Sequence, residues 1–219
     1  MAGAASAADM VVIQSSGASV NPGDVISDSA PLSLASGASV TLLTAAGQTL
    51  NLTGPFNGVP EAQSTGGDSA IASAISNMLK GQRKSTASLG AIRSGSTSEA
   101  EATVPSPWLI SVESSGDRCI YSDRAILYRG DNAEEATLSL TGGVKSIRGA
   151  KWPAGAAEVA LSNDTFADGG VYTATLGERS VELTMHKAST AMNNPAELAA
   201  WMAQKGCVSQ ALALLNGLN

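Results

Sequence analysis

The 219-residue sequence predicts a mainly β protein: a small N-terminal β module, a linker with one helix, and a C-terminal β-sandwich closed by a helical hairpin. Three patterns carry that expectation. Short runs in which apolar and polar residues alternate, bounded by Gly, Pro, Asn and Asp, recur through most of the chain. Seven of the eight aromatic residues fall between Trp108 and Trp201, so the denser core is expected there. After Asn194 the apolar residues change to helical spacing.

The N-terminal module covers residues 10–58. Asn21-Pro22-Gly23-Asp24 is a turn entering the apolar pair Val25-Ile26, and Leu32-Ser33-Leu34 repeats a period of two. Ser39-Val40-Thr41-Leu42-Leu43-Thr44, the turn at Gly47-Gln48, and Thr49-Leu50-Asn51-Leu52 then read as strand, turn, strand. In this order, ending at Gly54-Pro55-Phe56, these segments resemble the FecR-like β domain over residues 10–56. The resemblance implies an exported, envelope-facing module that works by protein contact, in signalling or as a scaffold. No run of about 18 apolar residues occurs, and neither the membrane-spanning nor the cytoplasmic anti-sigma segment of the signalling members is found, so a transmembrane signalling role is not expected.

Residues 1–9 read as a signal remnant or a loose tail: Ala5-Ser6-Ala7 fits the small-residue cleavage pattern, as any Ala-rich tail would. Residues 59–104 read as the linker. Within it a short helix is predicted over 69–80, with Asp68 as its cap, Ile71, Ile75, Met78 and Leu79 on one face, and Gly81 as its end. From Gln82 to Thr103 the Ser, Gly and Thr content predicts a mobile, protease-sensitive stretch.

Residues 105–188 hold the predicted sandwich, immunoglobulin-like in architecture but without the Cys, Trp, Cys spacing of antibody domains. Its strand-like runs begin at Trp108, Cys119, Ala125 and Ala136. Two further runs, 171–176 and 180–185, form a hairpin around a three-residue loop, Gly177-Glu178-Arg179. For residues 189–219, Asn194 caps a helix with Pro195 at its first position, Lys205-Gly206 closes it, and Val208, Ala211, Leu212 and Leu215 mark a second. The pair is expected to pack on the sandwich as a lid.

A net charge of −6 argues against nucleic acid as partner, since phosphate binding needs clustered cations. The two cysteines, Cys119 and Cys207, suit one long-range disulfide in an oxidising compartment, with two buried thiols as the alternative. Paired metal-ligand spacings are missing, so neither metal nor cofactor is expected. Catalysis by a Ser-His-Asp set would need the single His186, and no nucleophile elbow accompanies it. Asp117, Asp123, Asp131, Glu134 and Glu135 fall in turns, where a glycosidase pair is conceivable and turn formation is the simpler account.

Trp152-Pro153 reads either as an exposed aromatic turn or as a plug for the sandwich end, and Asp164 and Asp168 as acidic turn residues beside it. The expectation drawn from all this is a periplasmic or secreted, non-catalytic protein that contacts another envelope protein, with self-association through strand edges as a further route. The alternative is a glycan or peptidoglycan-fragment binder using Trp152, Pro153, Asp164 and Asp168, and the third is an unrecognised hydrolase.

Overall fold

The structure, a computed structural model, describes residues 9–27, 29–61, 69–88, 103–121, 124–143, 145–188 and 192–218, with the side chains of 83–88 excepted. The tail at 1–8, Asp68, Asp123 and most of the stretch expected to be mobile, 89–102, lie outside the described residues. The chain groups into two units. The first takes the described residues up to 88 together with 193–203 and 215–218; the second takes those from 103 to 192 together with 204–214.

In the first unit the predicted alternations become β1 (Asp9–Ser16), β2 (Val25–Ser27), β3 (Leu32–Leu34), β4 (Ser39–Thr44), β5 (Thr49–Thr53) and β6 (Phe56–Gly58). Four of them make an antiparallel sheet in the order β2-β1-β4-β5, while β3 pairs with β6. Met10, Val12, Ile26, Leu32, Leu34, Val40 and Leu42 form the core between them, joined by Leu50, Leu52 and Phe56. Strict alternation stops at this point. Val11 and Leu43 face the other way and are also buried, and β4 is buried at every position after Ser39. A strand covered on both faces loses its period of two.

One cover is α1 (Ser69–Ser88), which packs on β1 and β2 and buries Ala72, Ile75 and Leu79. It docks on the predicted turn. Asp24 N donates to Asn21 O at 2.9 Å and Asn21 N to Asp24 Oδ2 at 2.8 Å, which closes the turn. Ser76 Oγ then donates to Gly23 O at 2.6 Å. At Gly23, where φ is +90°, a Cβ would lie 3.0 Å from Leu79 Cβ, so the close approach of helix and turn requires glycine. The helix runs eight residues beyond the expected end at 80. Gly81 faces open space, and a glycine inside a helix costs only about 1 kcal/mol relative to alanine, too little to stop one whose apolar face is already packed.

The C-terminal helices form as the sequence predicts, α2 over Pro195–Gln204 and α3 over Val208–Asn216. Asn194 Oδ1 accepts from Ala196 N at 2.9 Å, the expected cap. The same side chain donates from Nδ2 to Ala45 O at 3.2 Å, and α2 groups with the first unit, whereas α3 up to Leu214 groups with the second. The two helices expected to act together as a lid therefore divide between the units.

The second unit contains β7 (Leu109–Ser111), β8 (Gly116–Ile120), β9 (Arg124–Tyr128), β10 (Ala136–Thr141), β11 (Ile147–Trp152), β12 (Glu158–Ser162), β13 (Gly170–Leu176) and β14 (Arg179–Lys187). They form a five-stranded sheet, β11-β10-β13-β14-β8, and a three-stranded sheet, β12-β9-β7, with β14–β8 and β7–β9 parallel. Ile110, Leu127, Leu138, Leu140, Tyr172, Leu183 and Met185 from both sheets share one core, which makes the unit a β-sandwich. Leu176 pairs with Arg179, so the hairpin turn has two residues, Gly177-Glu178, instead of the expected three. Strands β11 and β12 escape the sequence pattern. The register of β11 on β10 shifts between Leu138 and Leu140, and Arg148 and Gly149 are both exposed, which erases the alternation.

Gly23→Ala should destabilise the first unit by about 1–3 kcal/mol, through the left-handed φ and the pressed Leu79 contact. Hydrogen exchange of the full chain should show the loss in β1, β2 and α1, with β10 and β13 unchanged; equal effects in both units would contradict the docking role of this turn.

Candidate functional site

The chemically richest part of the second unit is the outer edge of β8. Cys119 and Cys207 form the expected disulfide, with Cα atoms 5.9 Å apart and a separation of 88 positions in sequence. Gln210, buried on α3, completes the closure. Its Oε1 accepts from Cys119 N at 2.7 Å, and its Nε2 donates to Cys119 O at 2.8 Å and to Pro107 O at 2.9 Å. One side-chain amide thus supplies the donor and acceptor that a neighbouring strand would supply. Parallel pairing sets His186 opposite Cys119, and His186 Nε2 donates to Asp117 Oδ1 at 2.7 Å. Gly206, with φ +83°, brings the chain so close that a Cβ there would sit 2.7 Å from Asp117 Oδ2. Among the described residues the Asp117 contact is the one hydrogen bond of the His186 ring.

Beside this edge, Trp108 is 41% exposed and its ring lies 5.4 Å from that of Tyr121 at a 32° tilt. The Tyr121 hydroxyl donates to Met192 O. Trp108 read from sequence only as the start of a strand; its position just after Pro105 and Pro107 was the available sign of a loop-borne ring.

Trp152 takes the opposite place to the one a ligand contact needs. It is fully buried in the sandwich core, so its ring is a plug and not an exposed platform. Its Nε1 donates to Ala156 O at 2.8 Å, and the Arg129 guanidinium lies 5.3 Å from the ring centroid. Arg129 is itself buried and donates to Ala156 O at 3.2 Å and to Glu134 O and Pro153 O at 2.8 Å each, tying its own β9–β10 loop to the β11–β12 loop. Arg118, also buried, closes the β7–β8 connection just before it, donating to Ser111 O at 3.0 Å, Ser114 O at 2.7 Å and Asp117 O at 2.8 Å. Both arginines stand at positions that strand alternation turns inward, Arg118 with Ile120 and Arg129 with Ala125 and Leu127; that was the signal in the sequence.

The remaining predicted contacts do not converge with Trp152. Pro153 is exposed and lends its carbonyl to Arg129. Asp164 is exposed and paired with Lys145, while Asp168 Oδ1 accepts from Lys187 N at 2.8 Å at the start of β13. The Lys145 contact, seconded by Ser162, holds the Asp164 carboxyl below its ordinary value. Of the turn carboxylates, Asp131, Glu134 and Glu135 line an open cleft of about 730 Å³ together with Glu113, Glu178 and Arg179, whereas Asp117 lies away with His186. Among the described residues no three of His, Cys, Asp and Glu stand close enough to hold a metal ion.

Comparison with protein-family models, with curated proteins and with solved structures finds no match to this chain.

Two outcomes follow for the side chains just described. Trp152→Ala should cost the sandwich about 3–5 kcal/mol by leaving a large cavity, read as a fall in its denaturation midpoint; a neutral effect would return the ring to the surface. In an NMR titration Asp164 should lose its charge below the ordinary aspartate value of about 3.9, and Lys145→Ala should bring it back. Because the folded value is the lowered one, the pair favours folding above the unfolded value and stops doing so as pH falls through the folded one.

Proposed function

We propose that this chain is an extracytoplasmic binding protein of the FecR-like kind, acting by contact with another envelope protein and performing no catalysis. Trp108 carries the reading. It is the exposed aromatic of the second unit, it is buttressed by Tyr121, and the carbonyl of its neighbour Pro107 is held by Gln210. A ring fixed before contact loses little freedom on docking, and Trp and Tyr dominate the energetics of protein interfaces. The disulfide supports the compartment, because such bonds persist where thiols are not kept reduced. The Gly23-Asp24 turn, followed by short paired strands, supports the FecR-like assignment.

A glycan-binding reading survives in changed form: the ring available for stacking on a sugar is that of Trp108 and no longer that of Trp152. The experiment separates the two. A photoreactive aromatic in place of Trp108, in the exported full chain, should cross-link to one envelope protein, and Trp108→Ala should lose that protein on co-purification while its circular dichroism stays native. Muropeptides should leave Trp108 emission unchanged. A saturable emission change with muropeptides would move the function to glycan binding, and a cross-link only to a second copy would make self-association the contact. No cross-link of any kind would sink the contact reading.

A further inference from the structure

We propose that α3 is a redox-released strap on the edge of the sandwich, clasped over β8 by the Cys119–Cys207 disulfide. The observation is the form of the closure. β8 ends the five-stranded sheet, and the outward N–H and C=O of Cys119 are satisfied by the Gln210 side chain at 2.7 and 2.8 Å instead of by a strand. Gln210 makes three hydrogen bonds in all, two to Cys119 and one to Pro107 O, and of the apolar side chains of α3 those of Ala211 and Leu215 are buried, a modest hold on a nine-residue helix. The covalent link at Cys207, the residue just before α3, keeps Gln210 in register with Cys119.

The switching step is thiol–disulfide exchange with a dithiol reductant. The Sγ–Sγ bond of Cys119 and Cys207 takes up two electrons and two protons and becomes two thiols, while the two sulfurs of the reductant join in a disulfide. Both cysteines are buried, 2% and 0% exposed, so exchange follows local opening of the turn at Gly206 and the strap is closed in a resting, oxidised chain. Once open, Cys119 N–H and C=O lose the amide that stands in for a strand, and the sheet gains an unpaired edge. The rest of the sandwich stays, because its core is drawn mainly from β7, β9, β10, β11, β13 and β14, with Ile120 the contribution of β8 and neither cysteine in it.

Hydrogen exchange of the oxidised full chain, against the same chain held in dithiothreitol, tests this without any partner. In the reduced chain, residues 116–120 and 208–214 should exchange faster by about tenfold or more, while Leu138–Leu140 and Tyr172–Ala174 keep their protection. Cys207→Ser should reproduce that pattern without reductant. Oxidised Gln210→Ala should quicken exchange at Cys119 alone, since the clasp remains. Unchanged exchange at 116–120 on reduction would overturn the proposal, because the strap would then stay down without its clasp. Loss of protection throughout the sandwich would overturn it as well, making the disulfide a staple of the whole unit.

Discussion

One residue, Cys119, is held three ways at once: by its place in β8, which pairs with β14, through its N–H and C=O to Gln210, and through its sulfur to Cys207. Much of the second unit depends on this junction. An edge strand left open exposes a row of donors and acceptors, which soluble proteins manage with charges, bulges or a cover. Here the cover is a helix, and a link across 88 positions carries it back to the strand. In the simple chain model, closing so long a loop removes about 4–5 kcal/mol of unfolded-state entropy. His186 and Asp117 lie beside the same junction, and the close approach of Gly206 belongs to its geometry.

Two buried guanidinium groups organise the loops. Arg118 and Arg129 are almost wholly enclosed, and the hydrogen bonds described for them run mainly to backbone carbonyls that no strand pairs. A buried charge without such partners is costly; with them, Arg129 ties two loops together and Arg118 closes the β7–β8 connection. This accounts for Trp152. Its ring packs under Arg129, at the end of a strand that the sequence pattern does not reveal, and turns from a surface candidate into part of the core.

Local chemistry was legible in the sequence, and long-range cover was not. The Asn21–Asp24 turn, the β4–β5 and β13–β14 hairpins, the Asn194 cap and the pairing of the two cysteines all follow from residues near one another or from a count of two. The length of α1 was missed because Gly81 stops a helix only where the chain needs to turn there. Strand β11 was missed because a register shift and Gly149 break its period. Gln210 reads as one more polar residue on an amphipathic helix, and only the fold sets it against the backbone of Cys119. Trp152 was misplaced for the same reason: a following proline marks an extended backbone and says nothing about which side of it faces water.

The division of the last two helices has a consequence for how the protein is made. Residues 193–203 belong with the first unit, yet they leave the ribosome after nearly all of the second. The first unit cannot receive α2 until nearly all of the chain has been made. At about 5–20 residues per second, the wait between α1 and α2 is roughly 5–20 s, an interval in which Ala45 O lacks its hydrogen bond from Asn194. If the chain is exported as proposed, the delay favours crossing a membrane before the first unit is finished. In that case the order of synthesis does what a holding chaperone would otherwise do.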